Sequence, residues 1–296
     1  MAKFYTAVVT IFNKDGSLDY NGNKAVYENL IRNHSDGIVL MGSTGEFFNL
    51  TLTQAKDLAA FALKTVNHQM DVIVGASRMI PSESVELGNF ALSQGADAVI
   101  VISPYYFKLS DANIENYYDQ IVPNIHGPVY LYNFPGCTGY DLKPEIALRL
   151  RRKYANLKGY KDTIDNFAHT RDLCLTMHRE FPDFEVYSGF DDCFVPNYLA
   201  GGSGCIGGLT NMYPELFVAL TKALNEGRWH DVEIMQHKVN RMMELFEICS
   251  PFLTAVKRAM KIRGLIENEY GSSPFVVATD AEDKKIRKLL KDLDLL

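Results

Sequence analysis

The sequence contains few cysteines, and their arrangement excludes two common uses of this residue. The five are odd in number, and no two of them form a C-x-x-C pair; they are Cys137, Cys174, Cys193, Cys205 and Cys249. This pattern argues against both a disulfide framework and a zinc site. We therefore expect a cytoplasmic protein with reduced thiols and no metal.

Excess positive charge and long apolar runs are also missing. The chain of 296 residues has 30 Lys and Arg against 36 Asp and Glu, a formal net charge of −6, which argues against binding to nucleic acid or to an anionic membrane. The longest uncharged stretch, Cys193 to Pro214, contains five glycines, two prolines and two asparagines and is too polar to span a bilayer. The N-terminus does not resemble a signal peptide. We expect small-molecule partners.

Short β-rich runs alternate with helical patterns along the whole chain. The candidate strands are Tyr5–Phe12, Gly37–Met41, Asp71–Ala76, Asp97–Ile102, Pro128–Phe134, Leu157–Lys161, Phe184–Ser188 and Gly204–Leu209. Several are continuously apolar and β-branched, as expected of parallel strands covered on both faces. Between them, Leu52–Val66 and Ser82–Ser93 have apolar residues at helical spacing. The pattern predicts an α/β protein.

Eight strand-helix repeats of about 30 residues are typical of a TIM (β/α)8 barrel, although a doubly wound open sheet has the same alternation. Four further helices are predicted after the eighth strand, at Pro214–Gly227, Trp229–Cys249, Pro251–Gly264 and Ala281–Leu295. They exceed what an eighth barrel helix requires. We expect a barrel over residues 1–225 and a helical C-terminal appendage, residues 226–296, packed on it.

Polar residues follow the predicted strands, where the active site of a parallel barrel is built. The segments are G-S-T-G-E at 42–46, S-P-Y-Y at 103–106, Y-N-F-P at 132–135, K-D-T at 161–163 and G-F-D-D at 189–192. Lys161 is the sharpest candidate, because desolvation by the barrel walls disfavours its ammonium form and yields a nucleophile for carbonyls. The alternative is a lysine that extends into solvent.

Two other segments have both a functional and a structural interpretation. Tyr132 ends the strand before Lys161 and could act as a general acid and base, or it could be a buried tyrosine with a hydrogen-bonded hydroxyl. The Gly42–Glu46 turn could present backbone N–H groups and two hydroxyls to a carboxylate. It could equally be an ordinary capping turn.

Taken together, the five ordered segments resemble the pyruvate-dependent class I aldolases, the family of N-acetylneuraminate lyase and dihydrodipicolinate synthase. The resemblance covers essentially the whole chain. It implies that Lys161 forms the Schiff base, that Tyr132 shuttles protons, and that Ser43 and Thr44 bind the substrate carboxylate, with Ser43 also relaying protons. Tyr106 matches a tyrosine that reaches into the neighbouring subunit, which implies a homo-oligomer, expected to be a tetramer.

The chemistry that the resemblance implies needs no cofactor. A 2-oxo acid condenses with Lys161, and the protonated imine accepts electrons from the bond that breaks, leaving an enamine of pyruvate and an aldehyde. Tyr132 takes the proton from the hydroxyl of the leaving aldehyde, and the reverse steps form the bond. We therefore expect a lyase that needs no cofactor, because the substrate itself forms the covalent Schiff base with Lys161.

The choice of substrate depends on residues outside this core. Synthases of the family carry an arginine that binds a second carboxylate where Cys137 stands, and a thiol cannot replace that grip. The Lys161–Asp165 stretch and Thr138-Gly139 look similar to 2-keto-3-deoxy-sugar-acid aldolases, of the 2-keto-3-deoxygluconate type. N-acetylneuraminate lyase, dihydrodipicolinate synthase and a non-catalytic sugar-acid-binding regulatory barrel are the alternatives.

Four residues near the predicted site are candidates to hydrogen-bond the hydroxyls of a sugar acid. They are Thr163, Gly189, Asp191 and Asp192, of which the last three belong to the G-F-D-D segment. The structural alternative is that the two aspartates cap the helix that follows them.

Overall fold

A computed structural model describes the chain from Met1 to Leu296. Its eight strands are β1 Lys3–Ala7, β2 Gly37–Leu40, β3 Asp71–Gly75, β4 Ala98–Ile102, β5 Val129–Asn133, β6 Leu157–Asp162, β7 Glu185–Ser188 and β8 Gly204–Gly207. They follow one another in chain order around a closed barrel. The predicted TIM barrel is confirmed, and the doubly wound sheet is excluded.

Twelve α-helices accompany the strands. They are α1 Tyr20–Arg32, α2 Leu52–Val66, α3 Pro81–Ser93, α4 Asp111–Ile121, α5 Pro135–Thr138, α6 Pro144–Lys153, α7 Phe167–His178, α8 Phe194–Leu199, α9 Pro214–Asn225, α10 Trp229–Met242, α11 Phe252–Ile262 and α12 Asp280–Asp292. No helix combines the length and the apolar character needed to cross a membrane.

The chain forms two compact units. The first comprises Met1–Lys3 and Asp71–Ile206, and the second comprises Phe4–Met70 and Gly207–Leu296. The first therefore contains β3 to β7, and the second contains β2 together with the four C-terminal helices. The boundary predicted between residues 225 and 226 falls inside the second unit, and the packing of the appendage on the barrel stays a prediction.

Several strands form where the sequence is continuously apolar. All five residues of β4, Ala98–Ile102, are buried, as are all four of β2. This is the burial of a parallel strand covered on both faces, and it is why the apolar runs were sufficient to find these strands. Seven of the eight predicted strands begin within one residue of the observed ones.

The prediction for the first strand was wrong in its extent. The sequence pattern placed it at Tyr5–Phe12, whereas β1 spans Lys3–Ala7. Beyond β1 the chain is still buried, but side-chain amides satisfy its backbone: Val9 N–H donates to Asn211 Oδ1 and Ile11 N–H to Asn23 Oδ1, both at 3.0 Å. Periodicity does not reveal this substitution of side chains for a neighbouring strand.

The helix predictions agree best where the sequence carries a cap. Helix α2 spans the predicted Leu52–Val66, and Thr51 and Gln54 form a capping box at its start. The single helix predicted at Trp229–Cys249 was wrong, because α10 ends at Met242 and a 3-10 segment follows.

Candidate active site

Lys161 and Tyr132 are brought together by the pairing of β5 with β6. The two residues are register partners in this parallel pair, so both side chains leave the sheet on the same face. Lys161 Nζ lies 4.4 Å from the centre of the Tyr132 ring, and the two residues are 4% and 3% exposed. The alternative of a lysine extended into solvent is therefore excluded.

An aromatic wall continues from Tyr132 along the same edge of the barrel. The ring of Phe134 stacks on that of Tyr132 with centroids 6.3 Å apart, and the ring of Phe190 meets Phe134 edge-on at 6.3 Å. Phe134 follows β5, and Phe190 follows β7. Lys161 therefore lies against the first ring of this wall, and its burial limits the water around its amine.

A closed ring of polar side chains lies on the other face of the same two strands. Asn133 Nδ2 donates to Asp162 Oδ1 at 3.0 Å and to Asp141 Oδ1 at 2.8 Å. His169 contacts both carboxylates, with Nδ1 2.9 Å from Asp162 Oδ2 and Nε2 3.2 Å from Asp141 Oδ2. Thr170 Oγ1 also donates to Asp162 Oδ2, at 2.7 Å. We call Asn133, Asp141, Asp162 and His169 the polar ring.

The polar ring holds His169 in its protonated form. Burial alone would lower the pKa of His169, but its contacts with the Asp141 and Asp162 carboxylates and the charges of those groups outweigh burial and raise it to about 10. The protonated ring donates from Nδ1 to Asp162, and its Nε2 forms an ion pair with the Asp141 carboxylate at 3.2 Å. The positive charge of His169 thus lies between two carboxylates, on the face of β6 opposite Lys161.

The loop after β5 brings Cys137 to the exposed rim of the site. It lies in the short helix α5, which ends at Gly139 in a left-handed conformation. Cys137 is exposed as a residue; partial burial of the thiol raises its pKa, and the charge of Lys161 opposes that rise. Cys137 thus lies within electrostatic range of Lys161, in the segment that follows Tyr132 in the chain.

Thr163 and Gly189 meet at the ends of β6 and β7. A Cβ on Gly189 would lie 1.8 Å from Thr163 Oγ1, so only glycine fits this position. The Thr163 hydroxyl is buried and has no hydrogen-bond partner. An unsatisfied buried hydroxyl is costly, and a bound ligand would supply the missing partner.

The two aspartates of the G-F-D-D segment differ in their surroundings. They form a 3-10 turn before α8, and neither is the N-cap residue of that helix, which is Cys193. Asp191 is fully buried. Burial raises the pKa of Asp192. Hydrogen bonds from the backbone N–H groups of Asp192 and Cys193 offset part of this rise, and the charge of Asp165 adds to it.

Tyr106, unlike the buried Lys161 and Tyr132, lies at the protein surface. It is 87% exposed, has a left-handed φ of 91°, and meets the exposed Phe107 ring edge-on at 4.9 Å. Nothing within the chain covers this aromatic pair.

Ser43 and Thr44 lie in the second unit, in the turn after β2. Gly45 N–H donates to Gly42 O at 3.0 Å and Glu46 N–H to Ser43 O at 3.2 Å. A Cβ on Gly45 would come within 3.0 Å of backbone atoms of Val8 and Met41, so the turn requires glycine there. The turn does not cap α2, whose cap is Thr51.

Sequence reasoning missed the polar ring. Asp162 follows Lys161 in the K-D-T segment, yet the sequence pattern predicted no role for it. No pattern pointed to Asp141 or His169 either. The strand alternation held a signal: Asn133 and Asp162 follow Tyr132 and Lys161 directly, and polar residues that point away from a barrel interior need partners. The identity of those partners depends on tertiary contacts.

The polar ring predicts a specific pH dependence of stability. The pKa of His169 is raised from an unfolded value near 6.5 to about 10, so its contribution is full below about pH 6.5 and is lost as the pH rises through 10. We expect the difference in free energy of unfolding between the wild type and His169→Gln, measured with urea from pH 6 to 10, to shrink with rising pH.

His178→Gln is the matched control for this measurement. It lies on the same helix, α7, but its Nε2 contacts the backbone carbonyl of Phe184 at 2.9 Å instead of a carboxylate. We expect the control to differ from the wild type by a constant amount over the same range. A pH-independent difference for His169→Gln would contradict the charged ring.

Comparisons with known proteins agree with this geometry. The family model described as "Dihydrodipicolinate synthetase family" matches residues 1–293. Two Escherichia coli K12 proteins are each 34% identical to the chain: "Putative 2-dehydro-3-deoxy-D-gluconate aldolase YagE", with 97% of this chain and 95% of YagE aligned, and "Probable 2-dehydro-3-deoxy-D-pentonate aldolase YjhH", with 96% and 94%.

A solved structure shows the same likeness in three dimensions. The crystal structure of YagE from E. coli K12 in complex with pyruvate superposes with a TM-score of 0.96 and 33% identity, over 100% of this chain and 99% of YagE. The resemblance inferred from the ordered motifs is thereby confirmed. The chain belongs to the dihydrodipicolinate synthetase family and is a pyruvate aldolase, an enzyme of the lyase class.

Proposed function

We propose that the protein is a Schiff-base aldolase that cleaves a 2-keto-3-deoxy sugar acid, of the 2-keto-3-deoxygluconate type, reversibly to pyruvate and an aldehyde. The observation that carries this proposal is the buried pair of Lys161 and Tyr132, 4.4 Å from amine to ring centre. An amine nucleophile beside a phenol in an apolar surround has the groups that imine chemistry requires. The names of YagE and YjhH support the substrate class.

In this mechanism, Lys161 carries the covalent bond and Tyr132 moves the protons. The amine adds to the C2 carbonyl and water leaves, giving a protonated imine. Tyr132 then accepts the proton of the C4 hydroxyl, the C3–C4 bond breaks, and its electron pair passes into the imine to form an enamine. Protonation at C3 and hydrolysis release pyruvate and free Lys161. No other cofactor takes part in these steps.

Ser43 and Thr44 are assigned to the carboxylate of the substrate. The turn carries two adjacent hydroxyls, which can donate hydrogen bonds to a carboxylate. In the same proposal the Ser43 hydroxyl relays protons to Tyr132. The tight conformation of the turn depends on Gly45. This specific conformation supports a binding role for the turn.

The distal part of the site favours hydroxyl groups over a second carboxylate. Thr163 offers a buried hydroxyl without a partner, Gly189 packs directly against it, and Asp191 and Asp192 follow Gly189 in the next turn. Carboxylates accept hydrogen bonds from sugar hydroxyls and repel an anionic aldehyde. The thiol of Cys137 stands where the synthases carry an arginine, and it cannot bind such an anion as a guanidinium does. This difference disfavours the dihydrodipicolinate synthase alternative.

A substrate panel tests the proposal directly. We expect pyruvate release from 2-keto-3-deoxygluconate or its galactonate epimer, at least tenfold faster in kcat/KM than from N-acetylneuraminate or 4-hydroxy-2-oxoglutarate. Lys161→Ala should release none. Release from N-acetylneuraminate alone would assign the protein to that lyase activity, and synthesis from pyruvate with aspartate semialdehyde alone would assign it to the synthases.

The same panel separates catalysis from binding alone and tests the distal residues. A regulatory barrel would bind a sugar acid but yield no borohydride-trapped adduct at Lys161. Asp191→Ala and Asp192→Ala should raise KM for the sugar acid and leave pyruvate trapping unchanged. Unchanged KM in both variants would leave these aspartates as structural residues of the turn before α8.

Tyr132→Phe is expected to separate the proton transfer from imine formation. The ring and its packing against Phe134 are kept, whereas the hydroxyl is removed. Loss of a positioned acid and base lowers the rate by about 10² to 10⁴. We expect kcat for cleavage to fall in this range while the protein stays folded by circular dichroism. Cleavage at the wild-type rate would show that another group moves the proton.

We further propose that the enzyme is a homo-oligomer, a tetramer, in which Tyr106 acts in the site of a neighbouring subunit. The exposed Tyr106 and Phe107 rings support this, because such aromatic pairs commonly mark protein interfaces. Mixing inactive Tyr106→Ala and Lys161→Ala subunits after mild dissociation should restore activity, since one mixed site then has both residues.

Sedimentation velocity of the same samples reports the assembly. We expect the wild type to sediment as a tetramer. An active wild-type monomer, or full activity of Tyr106→Ala, would contradict the assignment of Tyr106 to a shared site.

A further inference from the structure

A fully buried ion pair in the second unit joins the Gly42–Glu46 turn to the C-terminal helices. Lys257 of α11 donates to Glu46 Oε1, and the two side chains are 1% and 0% exposed. The sequence separation is 211 residues. This pair belongs to no step of the aldolase chemistry.

Each charge of the pair has further partners in the segment after α11. Glu46 Oε2 accepts from the backbone N–H of Ser272 at 2.6 Å and from its hydroxyl at 2.7 Å. Lys257 Nζ donates to Tyr270 O at 3.0 Å and lies 5.1 Å from the centre of the Phe12 ring. Burial lowers the pKa of Lys257, and the charge and hydrogen bond of Glu46 offset part of this shift.

Glu46 is also the residue that closes the turn. It has a left-handed φ of 58°, and its backbone N–H donates to Ser43 O at 3.2 Å. A non-glycine residue rarely adopts this conformation, so surrounding contacts must hold it there. The contacts of its carboxylate with Lys257 and Ser272 are suited to do so.

We propose that Lys257 and Glu46 are positioning residues that set the shape of the carboxylate-binding turn, so that the C-terminal segment determines the affinity for pyruvate. The inference rests on the proposed function, in which Ser43 and Thr44 bind the carboxylate. The Glu46 N–H donates to Ser43 O, so the position of Glu46 is coupled to the backbone of Ser43. The ion pair with Lys257 thereby fixes the backbone that carries the Ser43 and Thr44 hydroxyls. A displaced turn would misplace the hydroxyls while leaving Lys161 and Tyr132 in the first unit intact.

The test is the separation of KM from kcat in Lys257→Met. This change keeps the length of the side chain and removes its charge. Because small displacements of positioning groups cost about tenfold to a hundredfold, we expect KM for pyruvate, measured in the synthesis direction, to rise by that amount with kcat within about threefold. Borohydride trapping of hydroxyacetone, which has no carboxylate, should be unchanged.

Arg258→Met is the matched control. Arg258 follows Lys257 in α11 and pairs with Glu269 at 2.6 Å and with Asp283 at 3.3 Å, neither of which belongs to the turn. We expect it to destabilise the C-terminal segment in thermal unfolding without changing KM. An equal rise of KM in both variants would overturn the proposal, because general loosening of the helices would then explain the effect.

A second variant covers the case in which Lys257→Met does not fold. Glu46→Gln with Lys257→Met removes both charges, leaves no unpaired buried ion and should show the same rise of KM. Wild-type KM in this folded double variant would overturn the proposal. Ser43→Ala and Thr44→Val identify the cause of a negative result: if they raise KM, only the positioning role fails, and if they do not, the carboxylate site itself is misassigned.

Discussion

The register between β5 and β6 is the constraint on which the candidate active site around Lys161 and Tyr132 depends. Pairing of Tyr132 with Lys161 fixes the pairing of Asn133 with Asp162 one residue later. Since neighbouring side chains in a strand point to opposite faces, one register places the amine and the phenol together and the polar side chains together behind them. A one-residue shift of β6 would turn Lys161 away from Tyr132 and Asp162 away from Asn133, and both pairs would be lost.

Both units support their functional residues with buried charge. In the first, His169 bridges two carboxylates behind Lys161, and in the second, Lys257 pairs with Glu46 at the end of the Gly42–Glu46 turn. Removing one member of such a buried pair typically costs about 3–5 kcal/mol, whereas replacing the whole pair with apolar groups is often neutral. Charge is thus a poor source of stability here, and its use at these two positions fits a need for fixed geometry.

The sequence was informative where local chemistry decides the structure, and less so elsewhere. The run Ala98–Ile102 is apolar throughout because both faces are covered, and Thr51 with Gln54 caps α2 within four residues. The first strand was extended too far, since the backbone beyond Ala7 bonds to Asn211, about two hundred residues away. Lys161 and Tyr132 could be named because each ends a recognisable strand in a motif of the family.

The amino-acid sequence by itself determined the alternation of strands and helices, the family and the candidate residues for imine chemistry, because these depend on short segments and their order. Only the tertiary structure decided that Lys161 faces Tyr132, that His169 joins Asp141 to Asp162, and that Lys257 reaches Glu46. Such contacts join residues whose separation along the chain has no fixed relation to their distance in space. Their charges find partners only after the barrel has brought distant segments together and removed the water that would otherwise solvate them.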